Sequence, residues 1–253
     1  MVQTQSTGHP QQTFNSGSKR LHLKLRGFNE KLQSRTLNIC AHLRTTLGQI
    51  IEIVDVSGWG KCLRLNGDLM AIEKNQDGLH QIMVKLGLQN LDRNARSITI
   101  LGGGDGGILK HSLRLNPDQI NLLELDPQVI SFCKKYLPHI SNGAFDDNKV
   151  NLIIGDAFVN ITNLKDNSQD IVFVDMTDGG AISNENQVFG PRSDILMQNI
   201  NRILSNKGVV VCQANEQPQD VLKNFKKYFE KSYCWSDSFE IKNANCYVYS
   251  VND

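Results

Sequence analysis

Residues 102–107 of this 253-residue chain read Gly-Gly-Gly-Asp-Gly-Gly. Gly102, Gly104 and Gly107 satisfy G-x-G-x-x-G directly after an apolar stretch, Ser97–Leu101, and at the start of a helical one. Without a Cβ, such a turn lets the backbone press against a nucleoside. An acid, Glu124, stands 20 residues beyond Gly104 at the end of the next predicted strand, where it can accept hydrogen bonds from both ribose hydroxyls. The loop also contains Asp105. A carboxylate there repels phosphate and attracts a cation, so the spacing points away from a dinucleotide. It favours a nucleoside with positive charge near C5′, such as a sulfonium. The plainer reading of Asp105 is a cap on the following helix; the two roles are compatible.

More acids end predicted strands: Asp126 two residues after Glu124, Asp156 in Ile154-Gly155-Asp156-Ala157, and Asp175, with Asp178 three further on. In an open α/β sheet the carboxyl ends of the strands line one crevice. Carboxylates gathered there suit a cationic co-substrate and a cationic amine.

The elements that must position them follow from periodicity. Leu21, Leu23 and Leu25 alternate with His22, Lys24 and Arg26, as in a half-buried strand, while 30–47 are ambiguous. Gln49–Val56 and Lys61–Leu65 are β-like and bounded by Ser57-Gly58-Trp59-Gly60 and Asn66-Gly67-Asp68, a small antiparallel meander. Residues 77–88 are read as a helix. From 97 onward strands (97–101, 119–123, 150–154, 171–174, 209–213) alternate with helices (to 115, 127–136, 192–204, 221–229), and 233–241 with 246–251 close the order as a strand pair. The expected architecture is α/β: a disordered tail over 1–18, an N-terminal β-strand domain over 19–75 and a Rossmann-like catalytic domain over 76–253. In isolation Trp59 and Trp235 read as packing residues, and His80 as a satisfied structural histidine in preference to a proton carrier.

Composition sets the outer bounds. Lys plus Arg number 27 against 26 Asp plus Glu, a formal charge of +1, which gives no general reason to bind nucleic acid or an anionic membrane. No apolar run approaches the roughly 18 residues of a spanning helix. Six cysteines (Cys40, Cys62, Cys133, Cys212, Cys234, Cys246) form no CxxC pair, so no metal site is expected and a reduced, cytoplasmic setting is. The first 29 residues hold no acid but carry Lys19, Arg20, Lys24 and Arg26; a solvated tail is the reading preferred over a leader.

Four blocks together resemble the spermidine/spermine synthases: ILGGGDGGILK (100–110), LLELDPQVISFCKKYLP (122–138), IIGDAF (153–158) and FVDMTD (173–178). The resemblance runs from about Gln49 to the C-terminus, and Asp175-Met176-Thr177 with the GGIL wording leans toward the spermine synthases. It implies a seven-stranded class I methyltransferase fold and aminopropyl transfer from decarboxylated S-adenosylmethionine to putrescine or spermidine, with release of methylthioadenosine. It also implies a homodimer and no metal. By this resemblance Gln49 and the 102–107 loop bind the nucleoside, Asp105 the aminopropyl ammonium, Glu124 the ribose, and Asp156 with Ala157 the adenine. Asp175 is the general base, and His80, Asp178 and Gln213 lie toward the amine substrate. The family's gate, E-x-D-E-F-x-Y-H-E, reads here Glu73-Lys74-Asn75-Gln76-Asp77-Gly78-Leu79-His80-Gln81. Glu73 and His80 match; Asn75, Gln76 and Gln81 are amides where the pattern has carboxylates, and Leu79 replaces Tyr. Met70 and Gly48 replace a Gln and a Tyr, and Gly179-Gly180-Ala181-Ile182-Ser183 replaces a Pro-containing loop. Two other readings stay open: an S-adenosylmethionine-dependent N-methyltransferase of a small amine, and a non-catalytic paralogue.

Overall fold

A computed structural model describes residues 37–74, 76–176, 190–214, 218–236 and 246–252. The tail, the expected strand at 21–25, Asn75, Asp178 and the 179–183 loop lie outside the described residues.

The chain opens with an antiparallel sheet of four strands in sequential order: β1 (Leu37–Arg44), β2 (Ile50–Val56), β3 (Gly60–Leu65) and β4 (Asp68–Ile72). The ambiguous 30–47 region thus supplies β1, the outer strand of this sheet among the described residues. Asn66 and Gly67 link β3 to β4 with φ of 51° and 92°. Two positive φ values in a two-residue hairpin match the twist of the flanking strands, which is why Asn-Gly stands there. One face of the sheet, with Ile51, Ile53, Leu63, Leu65 and Ala71, packs on Val129, Cys133, Leu137 and Ile140. Those residues belong to α3 (Pro127–Tyr136) and α4 (Pro138–Ser141) or the link between them. The N-terminal sheet is therefore seated on the helix that follows Glu124.

The second sheet holds β5 (Ser97–Gly102), β6 (Gln119–Glu124), β7 (Val150–Ile154), β8 (Gln169–Asp175), β9 (Leu204–Gln213), β10 (Lys231–Ser236) and β11 (Cys246–Val251), in the order β10-β11-β9-β8-β5-β6-β7. The five strands from β5 to β9 pair in parallel, and β11 runs antiparallel to both β9 and β10. Strands covered on both faces read as continuous apolar runs, as the central β5 and β8 do, whereas the outer β7 is largely exposed. Ile98 and Ile100 pack with Met83 and Ile108 on one side; Leu101 and Val172 pack with Leu196 and Val221 on the other. The helices responsible are α1 (Gln76–Asn90) and α2 (Gly107–Leu113) against α6 (Asp194–Ile203) and α7 (Pro218–Phe225).

The chain leaves β5 toward β6 and β7, then returns to lay β8 on the other side of β5. The carboxyl ends of β5 and β8 therefore bound a topological switch point, the usual crevice for a ligand in such sheets.

Some expected boundaries move. The helix expected over 192–204 starts at Asp194, because Ser193 caps it by accepting the Leu196 N–H at 3.4 Å. β9 begins at Leu204, and the helix expected over 221–229 runs from Pro218 to Phe225. The short α4 opens on Pro138, and α5 (Ala157–Asn160) follows the capping Asp156. Trp59 and Trp235 pack against core clusters, as expected.

Candidate active site

The glycine loop leaves β5 at a point where only glycine fits. Gly102 pairs with Asp175 in the parallel register and has φ +79°; a Cβ there would lie 2.2 Å from the Asp175 carbonyl oxygen. The Gly103 N–H then donates to that same carbonyl at 3.1 Å. The loop and the end of β8 are thus locked together, which brings Asp105 and Asp175 into one crevice.

Asp105 is buried. Its Oδ1 accepts the Gly107 N–H at 2.8 Å, capping α2, while Oδ2 lies 3.3 Å from Nε2 of His80. The Oδ1 contact agrees with the helix-start reading of Asp105, while Oδ2 is turned to His80. His80 is 4% exposed and rests on the other glycine that matters: a Cβ on Gly107 would come 1.7 Å from its Nδ1. The reading of His80 as a satisfied structural histidine agrees with this buried pairing, which sets it among carboxylates.

Donor atoms of His80, Asp105 and Asp175 all lie within 4.8 Å of one another, the only such convergence of His, Cys, Asp and Glu among the described residues. A cation, ammonium or metal, would neutralise this excess of negative charge. The electrostatics follow from crowding. Burial and then the nearby Asp105 push the Asp175 carboxyl up to about 6, against the opposing effect of His80. Burial works to depress the His80 imidazole, but Asp105, and beyond it Asp175, outweigh that and hold it above its ordinary value. Burial also works against ionised Asp105, and the His80 partner with the Gly107 N–H overcomes it, so Asp105 stays below the usual carboxylate range.

Glu124 ends β6 beside the same loop. Its Oε1 accepts the Asp126 N–H at 2.9 Å, and its Oε2 lies 2.7 Å from where a Gly104 Cβ would be. Burial pushes its carboxyl up to about 7. Asp126 caps α3 through the Gln128 N–H at 2.9 Å. The Gln128 side chain accepts the Thr46 N–H at 2.9 Å, and Gln49 closes the same turn, its own N–H donating to Thr45 Oγ1 at 3.2 Å. So the β1–β2 turn bearing Gln49 is tied to the Glu124 corner. Asp156 is exposed and caps α5 through the Phe158 N–H at 2.9 Å, with Ala157 buried behind it. Gln213 ends β9, half-buried. Glu73, which the gate comparison singled out, is engaged elsewhere: it accepts the Lys61 N–H at 2.8 Å and faces His139 at 3.4 Å.

Sequence reasoning missed the clasp that seats α1. Asp77 bonds both Lys110 and, at 2.9 Å, Nε2 of His111 on α2. The Lys110 contact and, against burial, that of His111 pull its carboxyl down to about 2. Lys110 and His111 face Asp77 only once α1 and α2 pack, and nothing local announces it.

Residues 76–243 match the family model for the spermine/spermidine synthase domain. The chain belongs to the spermine/spermidine synthase family. A polyamine aminopropyltransferase of Prochlorococcus marinus is 32% identical over 192 residues, covering 73% of this chain and 65% of that protein. Spermidine synthase 2 of Arabidopsis thaliana is 28% identical over 201 residues, 74% of this chain and 56% of that one. The chain thus spans about two thirds or less of the length of these family members. A crystal structure of a spermidine synthase with the transition-state analogue AdoDATO superposes with a TM-score of 0.74 at 22% identity, covering 85% of this chain and 74% of that one. The spermidine synthase of Thermotoga maritima gives 0.71 at 21%. These two establish the shared fold: an N-terminal antiparallel sheet followed by a seven-stranded Rossmann-like domain. No helix among the described residues is long and apolar enough to cross a membrane.

Proposed function

We propose that this chain transfers the aminopropyl group of decarboxylated S-adenosylmethionine to a primary amine of putrescine or spermidine, releasing methylthioadenosine. The observation that carries the reading is the crowded carboxylate crevice at the switch point, with Asp105, Asp175 and His80 together and Glu124 alongside the glycine loop. Membership of the family and the named activity of its relatives support it.

In this reading Glu124 accepts the ribose hydroxyls, Asp156 and Ala157 border the adenine, and Gln49 closes over the nucleoside from the N-terminal sheet. Asp105 and the crevice potential favour an arm that ends in an ammonium and lacks a carboxylate. The incoming amine is protonated at neutral pH and must lose a proton to become a nucleophile. Asp175, raised to about 6, is a carboxylate at pH 7 and basic enough to take that proton. The amine nitrogen bonds to the propyl carbon as the C–S bond breaks, and the electron pair returns to sulfur, discharging the sulfonium. Holding both reactants in a water-poor cleft supplies much of the remaining rate. Asp178 and Gln213 are assigned to the acceptor side, and no metal is required.

The amide-rich gate is the observation that keeps a non-catalytic paralogue in play. Incubating the protein with decarboxylated co-substrate and putrescine or spermidine, with methylthioadenosine followed by chromatography, separates the two. No product with any amine refutes the transferase reading. Calorimetric preference for S-adenosylmethionine itself would favour the methyltransferase instead. A cytoplasmic homodimer fits the six cysteines, none of them in a disulfide, and the exposed Ile39 and Leu47 on and after β1.

A further inference from the structure

His80 has little freedom. Its ring lies on Gly107, and its Nε2 reaches Asp105 at 3.3 Å, the long end of the hydrogen-bond range, where a few tenths of an ångström decide whether the contact survives. Something must hold α1 in place to that tolerance. The Asp77 clasp to Lys110 and His111 fixes its first turn from the α2 side. A second restraint arrives from the opposite end of the sheet. Tyr247, on the antiparallel strand β11, is 1% exposed and heads the fully buried side chains by volume. Its ring packs on Trp235, centroids 5.9 Å apart, and its hydroxyl donates to the Leu79 carbonyl at 3.2 Å. That carbonyl oxygen and the amide nitrogen of His80 lie in one rigid peptide plane. Fixing the oxygen fixes the tilt of the plane from which the His80 side chain departs.

We propose that Tyr247 is a positioning residue of this site: its hydroxyl orients the Leu79–His80 peptide so that the imidazole stays between Gly107 and the Asp105 carboxylate. The kinetic consequence rests on the aminopropyl-transfer reading; the geometric claim does not. Asp105 from the glycine loop, Asp175 from β8 and Lys110 from α2 act on the His80 ring. The Tyr247 hydroxyl reaches the carbonyl one residue before His80, so its effect on the site is argued through His80.

Tyr247→Phe removes one oxygen and keeps the ring and its packing, so the fold is retained. In protein labelled with nitrogen-15 histidine, the His80 imidazole signal is assigned by its loss in His80→Gln. In Tyr247→Phe that signal moves and its N–H exchanges faster with water; an unchanged signal overturns the proposal. Turnover falls about tenfold, while affinity for methylthioadenosine, which lacks the aminopropyl arm, stays within about twofold. In the His80→Gln background, Tyr247→Phe produces no further loss; an equal loss in both backgrounds shows that Tyr247 acts elsewhere and overturns the proposal. Should the parent protein transfer no aminopropyl group, the functional reading fails and the imidazole signal still decides the role of Tyr247.

Discussion

Replacing Glu124 by Gln removes a buried charge without changing the shape of the side chain, so its effects on stability and on binding should have opposite signs. The Glu124 carboxyl is raised from 4.5 to about 7, chiefly by burial. At about 1.4 kcal/mol per pH unit, that corresponds to about 3 kcal/mol of cost for keeping it ionised in the fold. The unfolded chain holds the ordinary value, so between pH 4.5 and 7 the folded state binds more protons and stability falls as pH rises. Above pH 7 the full cost is in force. Gln is neutral throughout and still accepts the Asp126 N–H, although its amide protons lack a ready partner beside Gly104, which trims the gain. At pH 8 Glu124→Gln is therefore expected to be more stable by about 1–3 kcal/mol, a rise of about 3–10 °C in melting temperature for a chain of this size. At pH 5 the gain shrinks to below about 1 kcal/mol, because Glu124 in the folded parent is then protonated, and it vanishes only below the ordinary carboxyl value. The same change removes the charged acceptor assigned to the ribose and weakens methylthioadenosine binding by about 10–100-fold. Calorimetric melts at the two pH values, paired with a binding titration, check both halves. A gain of equal size at pH 5 and pH 8, or none at either, refutes the argument from burial.

Asp175→Asn is expected to lower turnover by about 10²–10⁴-fold while sparing methylthioadenosine affinity, measured by product release and calorimetry; unchanged turnover removes it as the base. Gly107→Ala places a methyl group where the His80 ring lies and should cost about 1–3 kcal/mol or more in urea unfolding. Gly78→Ala, within α1 and with open space around its Cα, should instead add about 0.5–1 kcal/mol. Asp105→Asn should narrow the preference for the decarboxylated co-substrate over S-adenosylmethionine by about tenfold in competition binding.

Much of the frame was legible because its causes are local. Ser97–Leu101 and Ile171–Val174 are buried on both faces and so read as apolar runs; Pro127 opens a helix where its missing N–H costs nothing. Asp105, Glu124 and Asp175 could be placed from spacing alone, since a parallel sheet sends every strand end to the same side. What escaped depends on contacts between distant segments. Early in β9, Ser205, Asn206 and Lys207 are polar, and Lys207 has φ +57°; they fall in an irregularity between the Leu204–Gln169 and Val209–Ile171 pairs, where the Lys207 N–H donates to the Asn252 carbonyl at 2.6 Å. His80 read as a satisfied histidine whose partners could not be named, because Asp105 and Asp175 come from other elements. Tyr247 carried no signal at all: nothing along 246–251 announces that a hydroxyl there reaches a carbonyl on the first helix.

The lock between Gly102 and Asp175 also bears on how the chain comes together. Before β8 docks beside β5, the acids at 105 and 175 are independent, hydrated and easily ionised. Zipping those two strands forces them into one small space, so the repulsion falls on the step that joins β8 to β5. Mild acid, or a polycation waiting in solution, should relieve that step. Stopped-flow refolding at pH 5 against pH 8, with and without spermidine, would show whether a polycation also helps the chain find its shape.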